Sequence, residues 1–205
     1  MSNNVPAAPE FGQPAPFGKR HPETLALLAQ RRSSSPQHLT APAPSADELK
    51  DLLRLAARVP DHGKLFPWRF IVVQGEAKAA LAERLEALAK ERPDAEKAGS
   101  VLFKLKTPPL AVLVVSRVAQ GHIPDWEQRL SAGAACQTLV LAATAMGYGA
   151  NWITDWYSYD PRATALLGIE SNEQVAGVIL IGTPTEAPLE RVRPDVDAIT
   201  TAWKP

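Results

Sequence analysis

The run Pro108-Pro-Leu-Ala-Val-Leu-Val-Val-Ser116 constrains the fold more than any other part of this chain, because it is apolar at every position up to Val115. A run of strand length without polar alternation has both faces buried, as in a central strand covered by helices on either side. A second run, Gln174-Val-Ala-Gly-Val-Ile-Leu-Ile-Gly182, has the same character. Phe70-Ile-Val-Val73, closed by Gln74-Gly75, is a shorter apolar strand, and Asn151-Trp-Ile-Thr154 reads as another.

Helical periodicity fills the intervals. Thr24 to Arg32 offers Leu25, Leu27 and Leu28 to one face. Ser45-Ala-Asp-Glu48 is a capping box, opening a helix that carries Leu49, Leu52, Leu53, Ala56 and Ala57 and stops before Pro60. Lys78 to about Arg92 is a strong helix former. Ile123-Pro-Asp-Trp126 introduces a long helix to about Met146, rich in Ala and Gly and ended by Gly147-Tyr-Gly149. Pro161 to Leu167 is a short helix with proline at its start. Helices interleaved with about four short strands predict an α+β sandwich, a sheet covered by helices.

Two segments stand outside this pattern. Residues 1 to about 20 hold Pro6, Pro9, Pro14 and Pro16 with little periodicity, and read as a flexible extension. The tail from Pro184 to Pro205 is long and proline-punctuated. It cannot fold alone, which points to packing on a partner subunit.

Charge limits the partners. Lys+Arg and Asp+Glu are both 22, without the basic excess of a nucleic-acid binder or polybasic membrane protein. No apolar run reaches spanning length and no signal peptide is evident, so a cytoplasmic protein is expected. The single cysteine, Cys136, sits among alanines and reads as a small buried hydrophobe. There is no Gly-x-Gly-x-x-Gly, P-loop, HExxH or Gly-x-Ser-x-Gly. His21, His38, His62 and His122 are too scattered for a metal site.

Four clusters at element ends remain, and each alone has a plainer explanation. Arg31, Arg32, Ser33 and Ser35 suit a phosphate, but cations also favour a helix C-terminus. Arg58, Asp61, His62 and Lys64 lie between a helix and a strand, where a solvated turn would serve. Arg191 and Arg193 could be a solvated pair, and Ala150 to Asp155 an ordinary strand with a core tryptophan.

Their order along the chain is more telling. A helix ending Arg31-Arg-Ser33, a second running into Val59-Pro60 and then Pro67-Trp-Arg-Phe70, a small-residue helix ending Gly147-Tyr-Gly149, and a strand ending Ile181-Gly-Thr-Pro184 resemble the FMN-dependent nitroreductase family. The resemblance covers residue 22 to the end. With Pro60-Asp61-His62 and the short length, it is greatest to the small YdjA-type NAD(P)H nitroreductase branch.

The resemblance implies a mainly antiparallel sheet flanked by helices, in an intertwined homodimer with FMN at the subunit interface and termini embracing the partner. It implies that Arg31, Arg32 and Ser33 hold the FMN phosphate and ribityl chain and that Arg58 and His62 contact flavin, while Lys64, at the family's Asn position, either replaces that contact with charge or points into solvent. Asn151, Trp152, Ile153 and Thr154 would run along the flavin edge, and Arg193, rather than Arg191, would close on the phosphate. Ser35, Lys64 and Phe66 depart from the family's usual basic residue, Asn and Gln. FMN's phosphate carries about two negative charges, which arginines bind bidentately, while the flavin carries the redox chemistry. The implied activity is ping-pong transfer from NAD(P)H to a nitroaromatic, quinone or similar small acceptor. A specialised flavin dehydrogenase or dehalogenase, or a non-enzymatic flavin-binding protein, are the alternatives.

Overall fold

Strand β3 (Leu110–Arg117) occupies the first apolar run, and all its residues but the last are buried. The computed structural model describes residues 5–15 and 18–205; residues 1–4, Pro16 and Phe17, part of the expected extension, lie outside the described residues.

Strand β5 (Glu173–Pro184) runs antiparallel to β3, from Leu110 opposite Ile181 to Arg117 opposite Glu173, with an irregularity between Val114 and Val115. Strand β2 (Trp68–Gln74) pairs with the other edge of β3, Trp68 opposite Ser116. The far edge of β5 is shared. Strand β4 (Gly149–Ile153) takes Val178 to Gly182, and the two-residue β1 (Leu39–Thr40) takes Thr183 and Pro184. Every pairing among the described residues is antiparallel.

Strand alternation sorts the core into two layers. Leu110, Val112 and Val114 pack with α2 (Ala46–Ala56) and α6 (Asp125–Ala145) through Leu49, Leu52, Ala135 and Leu139. Ala111, Leu113 and Val115 meet α3 (Gly75–Lys90), α4 (Ala95–Ser100), α5 (Phe103–Lys106) and α7 (Pro161–Leu166) through Leu85, Ala98, Leu105 and Ala163. The expected sheet covered on both faces is what forms.

Local chemistry sets the helix ends. Both capping-box hydrogen bonds form at α2, Glu48 N–H to Ser45 Oγ and Ser45 N–H to the Glu48 carboxylate. In α6 the small residues Ala132, Ala135, Cys136 and Ala143 are fully buried, bringing helix and sheet close. Burial pushes the Cys136 thiol up to about 12, so it stays protonated and inert, as expected of a core cysteine.

Sequence periodicity does not reveal β1, α4 or α5. They are two to six residues long and are defined by what they pack on. Helix α1 (Pro22–Gln30) forms as expected, but it is only partly covered, by α6, and Leu25 and Leu28 stay about half exposed (51% and 52%). The tail is irregular apart from one tight turn at Asp197–Ile199, with Leu189, Val192, Val196, Ile199 and Trp203 exposed. The N-terminal segment lies against α2 and the loop after it. Arg54 Nη1 donates to the Pro6 carbonyl at 3.0 Å, and Lys64 Nζ stands 5.6 Å from the Phe11 ring centroid.

Candidate functional site

Helix α1 ends at Arg31, whose backbone N–H caps onto the Leu27 carbonyl. The chain then runs extended along β4. Ser34 N–H donates to the Ala150 carbonyl at 3.0 Å, and Asn151 Nδ2 donates to the Ser34 carbonyl at 2.5 Å. Arg31 Nη2 donates to Ser33 Oγ at 3.2 Å, while Arg31 Nε is buried with no partner. A buried donor left unpaired is costly and rare in native structures. Arg32 ties the tail down, donating from Nε to the Leu189 carbonyl at 2.9 Å with the Glu190 carboxylate 3.8 Å away.

These residues border an open cleft of about 560 Å³, lined by Arg32, Ser33, Ser35, His38, Asn151 and Arg191 among others. An adjoining cleft of about 630 Å³ shares Arg32 and adds Arg31, Ser34 and Tyr148. Sequence reasoning favoured Arg193 over Arg191 here. In the folded chain Arg191 lines the cleft, and Arg193 is turned onto Glu190, its Nη2 3.0 Å from the carboxylate. The Arg191 backbone N–H, followed by the Arg193 and Arg32 guanidiniums, holds the Glu190 carboxyl below the usual range.

Along β4, side chains alternate. Trp152 faces α6 and lies over Gly133 and Gly177; a Cβ at Gly177 would overlap the indole Nε1 and Cδ1. Gly177 is therefore the slot that seats the indole. Ile153 packs into the core on the opposite face of the sheet, so its side chain is turned away from Trp152. Thr154 is exposed just beyond the strand.

The second group lies elsewhere in the chain. Between α2 and β2, His62, Gly63, Lys64 and Phe66 all take left-handed backbone, with φ of 56, 75, 71 and 48°. Each non-glycine residue there is in a sparsely populated region. Asp61 Oδ1 accepts from Lys64 N–H at 3.3 Å, closing the turn. Ser131 of α6 clamps the loop's ends, accepting from the buried Trp68 indole N–H at 3.1 Å and donating to the Pro60 carbonyl at 2.5 Å. Ser131→Ala is expected to destabilise by about 1–3 kcal/mol, because the Trp68 donor loses its partner in a dry site; urea unfolding measures this.

Arg58, His62 and Lys64 are all exposed, and none lines either cleft beside Arg32. One copy of the chain thus brings Arg31, Arg32, Ser33, Asn151 and Arg191 together but leaves Arg58, His62 and Lys64 in a separate group. Sequence reasoning also missed Tyr148, whose hydroxyl donates to a Glu48 oxygen at 2.9 Å and which burial, with that carboxylate, pushes up to about 12. Among the described residues, no group of three or more His, Cys, Asp or Glu is placed to hold a metal, and no helix is long and apolar enough to cross a membrane.

Known proteins share this fold. The Nitroreductase family model matches residues 28–183. The chain is 34% identical over 167 residues to YdjA of Escherichia coli (strain K12), a protein assigned by name as an NAD(P)H nitroreductase, covering 79% of this chain and 88% of that one. A Nitroreductase-like family protein from Bacillus cereus superposes with a TM-score of 0.77 at 22% identity, over 92% of this chain and 99% of that one. A nitroreductase with bound FMN from Bacteroides fragilis NCTC 9343 does so with a TM-score of 0.69 at 23% identity, over 88% and 99%. The matched span holds the sheet up to Thr183, the Arg31–Ser33 corner and the loop carrying His62, and by that measure this chain belongs to the Nitroreductase family.

Proposed function

We propose that this protein is an FMN-dependent oxidoreductase working as a homodimer. The observation that carries this reading is the cationic corner at the end of α1. Arg31 keeps a buried, unpaired Nε there and shares one cleft with Arg32, which in turn borders the adjoining cleft lined by Ser33, Asn151 and Arg191. Three guanidiniums and a hydroxyl fit a phosphate, which accepts paired donors in the plane of each arginine. The relatives named for NAD(P)H nitroreductase activity and the FMN-bound fold neighbour support the same reading.

In this reading bound FMN would supply hydride transfer between NAD(P)H and an electron-poor acceptor such as a nitroaromatic or quinone, donor and acceptor using one site in turn. The chain's part is to bind, orient and leave one face open. Arg31, Arg32 and Ser33 hold the phosphate end, with Arg191 or Arg193 closing over it. Asn151, Trp152, the Ile153 backbone and Thr154 run along the ring edge. Arg58, His62 and Lys64 supply donors and positive charge from a second copy.

Two features support the dimer. The two groups of site residues do not meet within one chain, and α1 and the tail expose Leu25, Leu28, Val192, Ile199 and Trp203. Residues 21–205 then form the FMN-binding domain, with residues 1–20 an N-terminal extension. A single inert cysteine suits a reducing, cytoplasmic setting.

The test is optical. Purified protein should be yellow or take up added FMN, be bleached anaerobically by NADH or NADPH, and regain colour with a nitroaromatic or quinone. Colourless protein that takes up no FMN overturns the proposal. Bound FMN that neither nicotinamide reduces removes the nitroreductase activity and leaves a specialised flavoprotein.

A further inference from the structure

We propose that Glu127, on the first turn of α6, is a positioning residue that sets the tautomer and orientation of His62. The inference rests on the reading above, in which His62 faces the cofactor.

Helix α6 presents two residues one turn apart to the Arg58–Phe66 loop. Ser131 holds the loop's two ends through the Pro60 carbonyl and the Trp68 indole. Glu127 addresses its middle, with Oε2 3.4 Å from His62 Nδ1. The stretch between these anchors contains left-handed His62, Gly63 and Lys64, a conformation no regular secondary structure supports. Contacts to α6 hold it together with the Asp61 bond that closes the turn, as strained backbone persists only where its surroundings over-determine it.

The chemistry of the contact is directional. The carboxylate stands on the Nδ1 side of the ring, and because it can only accept, a hydrogen bond closed across this gap needs an Nδ1 that carries the proton. In the neutral ring this leaves the Nε2 lone pair facing away from α6, the reverse of the tautomer that free histidine side chains favour. The group one turn into the helix therefore decides which ring nitrogen His62 offers to a neighbour, as carboxylates do for histidines in metal and catalytic sites.

Nitrogen NMR of the neutral His62 ring in FMN-free protein reads the first half of the proposal. The Nδ1–H tautomer is expected in the wild type, shifting toward Nε2–H in Glu127→Ala. FMN titration reads the second half. Glu127→Ala should weaken binding about three- to fivefold, the range of a partly exposed ion pair. Glu127→Gln, whose amide carbonyl can still accept, should keep most of the affinity, and in a His62→Ala background Glu127→Ala should change nothing. An Nε2–H ring in the wild type overturns the inference. So does a loss of affinity that persists unchanged without His62, which would make Glu127 merely structural. If no variant takes up FMN, the cofactor reading falls, and the tautomer alone then decides whether Glu127 sets the ring.

Discussion

Arg69→Ala is expected to destabilise the fold by about 3–5 kcal/mol, the largest effect of any single side-chain truncation proposed here. Glu173 opens β5 with its side chain fully buried. Arg69, on β2, reaches across β3 and donates to both its oxygens, from Nε at 2.7 Å and Nη2 at 2.6 Å. The same Nη2 donates to the Gly168 carbonyl at 2.6 Å, and Glu170 N–H donates to Glu173 Oε2 at 3.0 Å. The guanidinium thus joins an outer strand to the loop between α7 and β5. Its removal strands a buried carboxylate with one remaining donor. Replacing both partners together, as in Arg69→Met with Glu173→Leu, should cost far less, because no charge is left behind.

The same pair gives the protein an acid-sensitive component. The Arg69 hydrogen bond, ahead of its charge, holds the Glu173 carboxyl below the ordinary glutamate value of 4.5. A depressed native pKa makes folding favourable above the unfolded value, so this contribution is complete above about pH 4.5 and is lost as pH falls through the lower native value. Urea midpoints measured between neutral pH and pH 3 should fall more steeply for the wild type than for Arg69→Ala. Parallel slopes, or an Arg69→Ala loss under 1 kcal/mol, would show that the carboxylate is not confined as described.

The second large effect concerns the ligand. Arg31→Ala is expected to weaken FMN binding by about 1.5–3 kcal/mol, roughly one to two orders of magnitude in Kd. Arg31 sits at the end of a helix none of whose residues is buried, so its loss should leave the core untouched and the unfolding midpoint nearly constant. Arg31→Lys should restore little. A lysine brings the charge without the planar fork that grips two phosphate oxygens at once. Titration of FMN fluorescence checks both variants, and unchanged affinity in Arg31→Ala would mean that the cationic corner does not hold the phosphate.

The fold was legible wherever burial wrote a period into the chain. Two apolar runs required a sheet with two covered faces, and the capping box and Pro60 framed α2. What stayed hidden depends on distant residues. β1 is two residues that exist as a strand only because Thr183 and Pro184 lie beside them. The exposed face of α1 cannot be told from a buried one by periodicity, since both carry leucines. At the site, residue types were visible but company was not. Arg31 and Arg32 stood out as adjacent cations, whereas the pairing of Arg193 with Glu190 within one chain left no mark in the sequence. Gly177 and Ser131 gave no local signal, because each matters through a tryptophan far away in sequence.

The topology also dictates an order of assembly. β5 is the last strand along the chain, yet β3, β4 and β1 all pair with it, and among the described residues β1 and β4 have no other strand beside them. During synthesis only the β2–β3 hairpin-like pair can form before residue 173 leaves the ribosome. Until then β3 presents an unpaired edge of Leu, Val and Ala to the cell. Such an edge is a template for wrong pairing, and contacts this remote in sequence form slowly. A chain cut short before β5 is therefore expected to aggregate, where the full chain stays in solution.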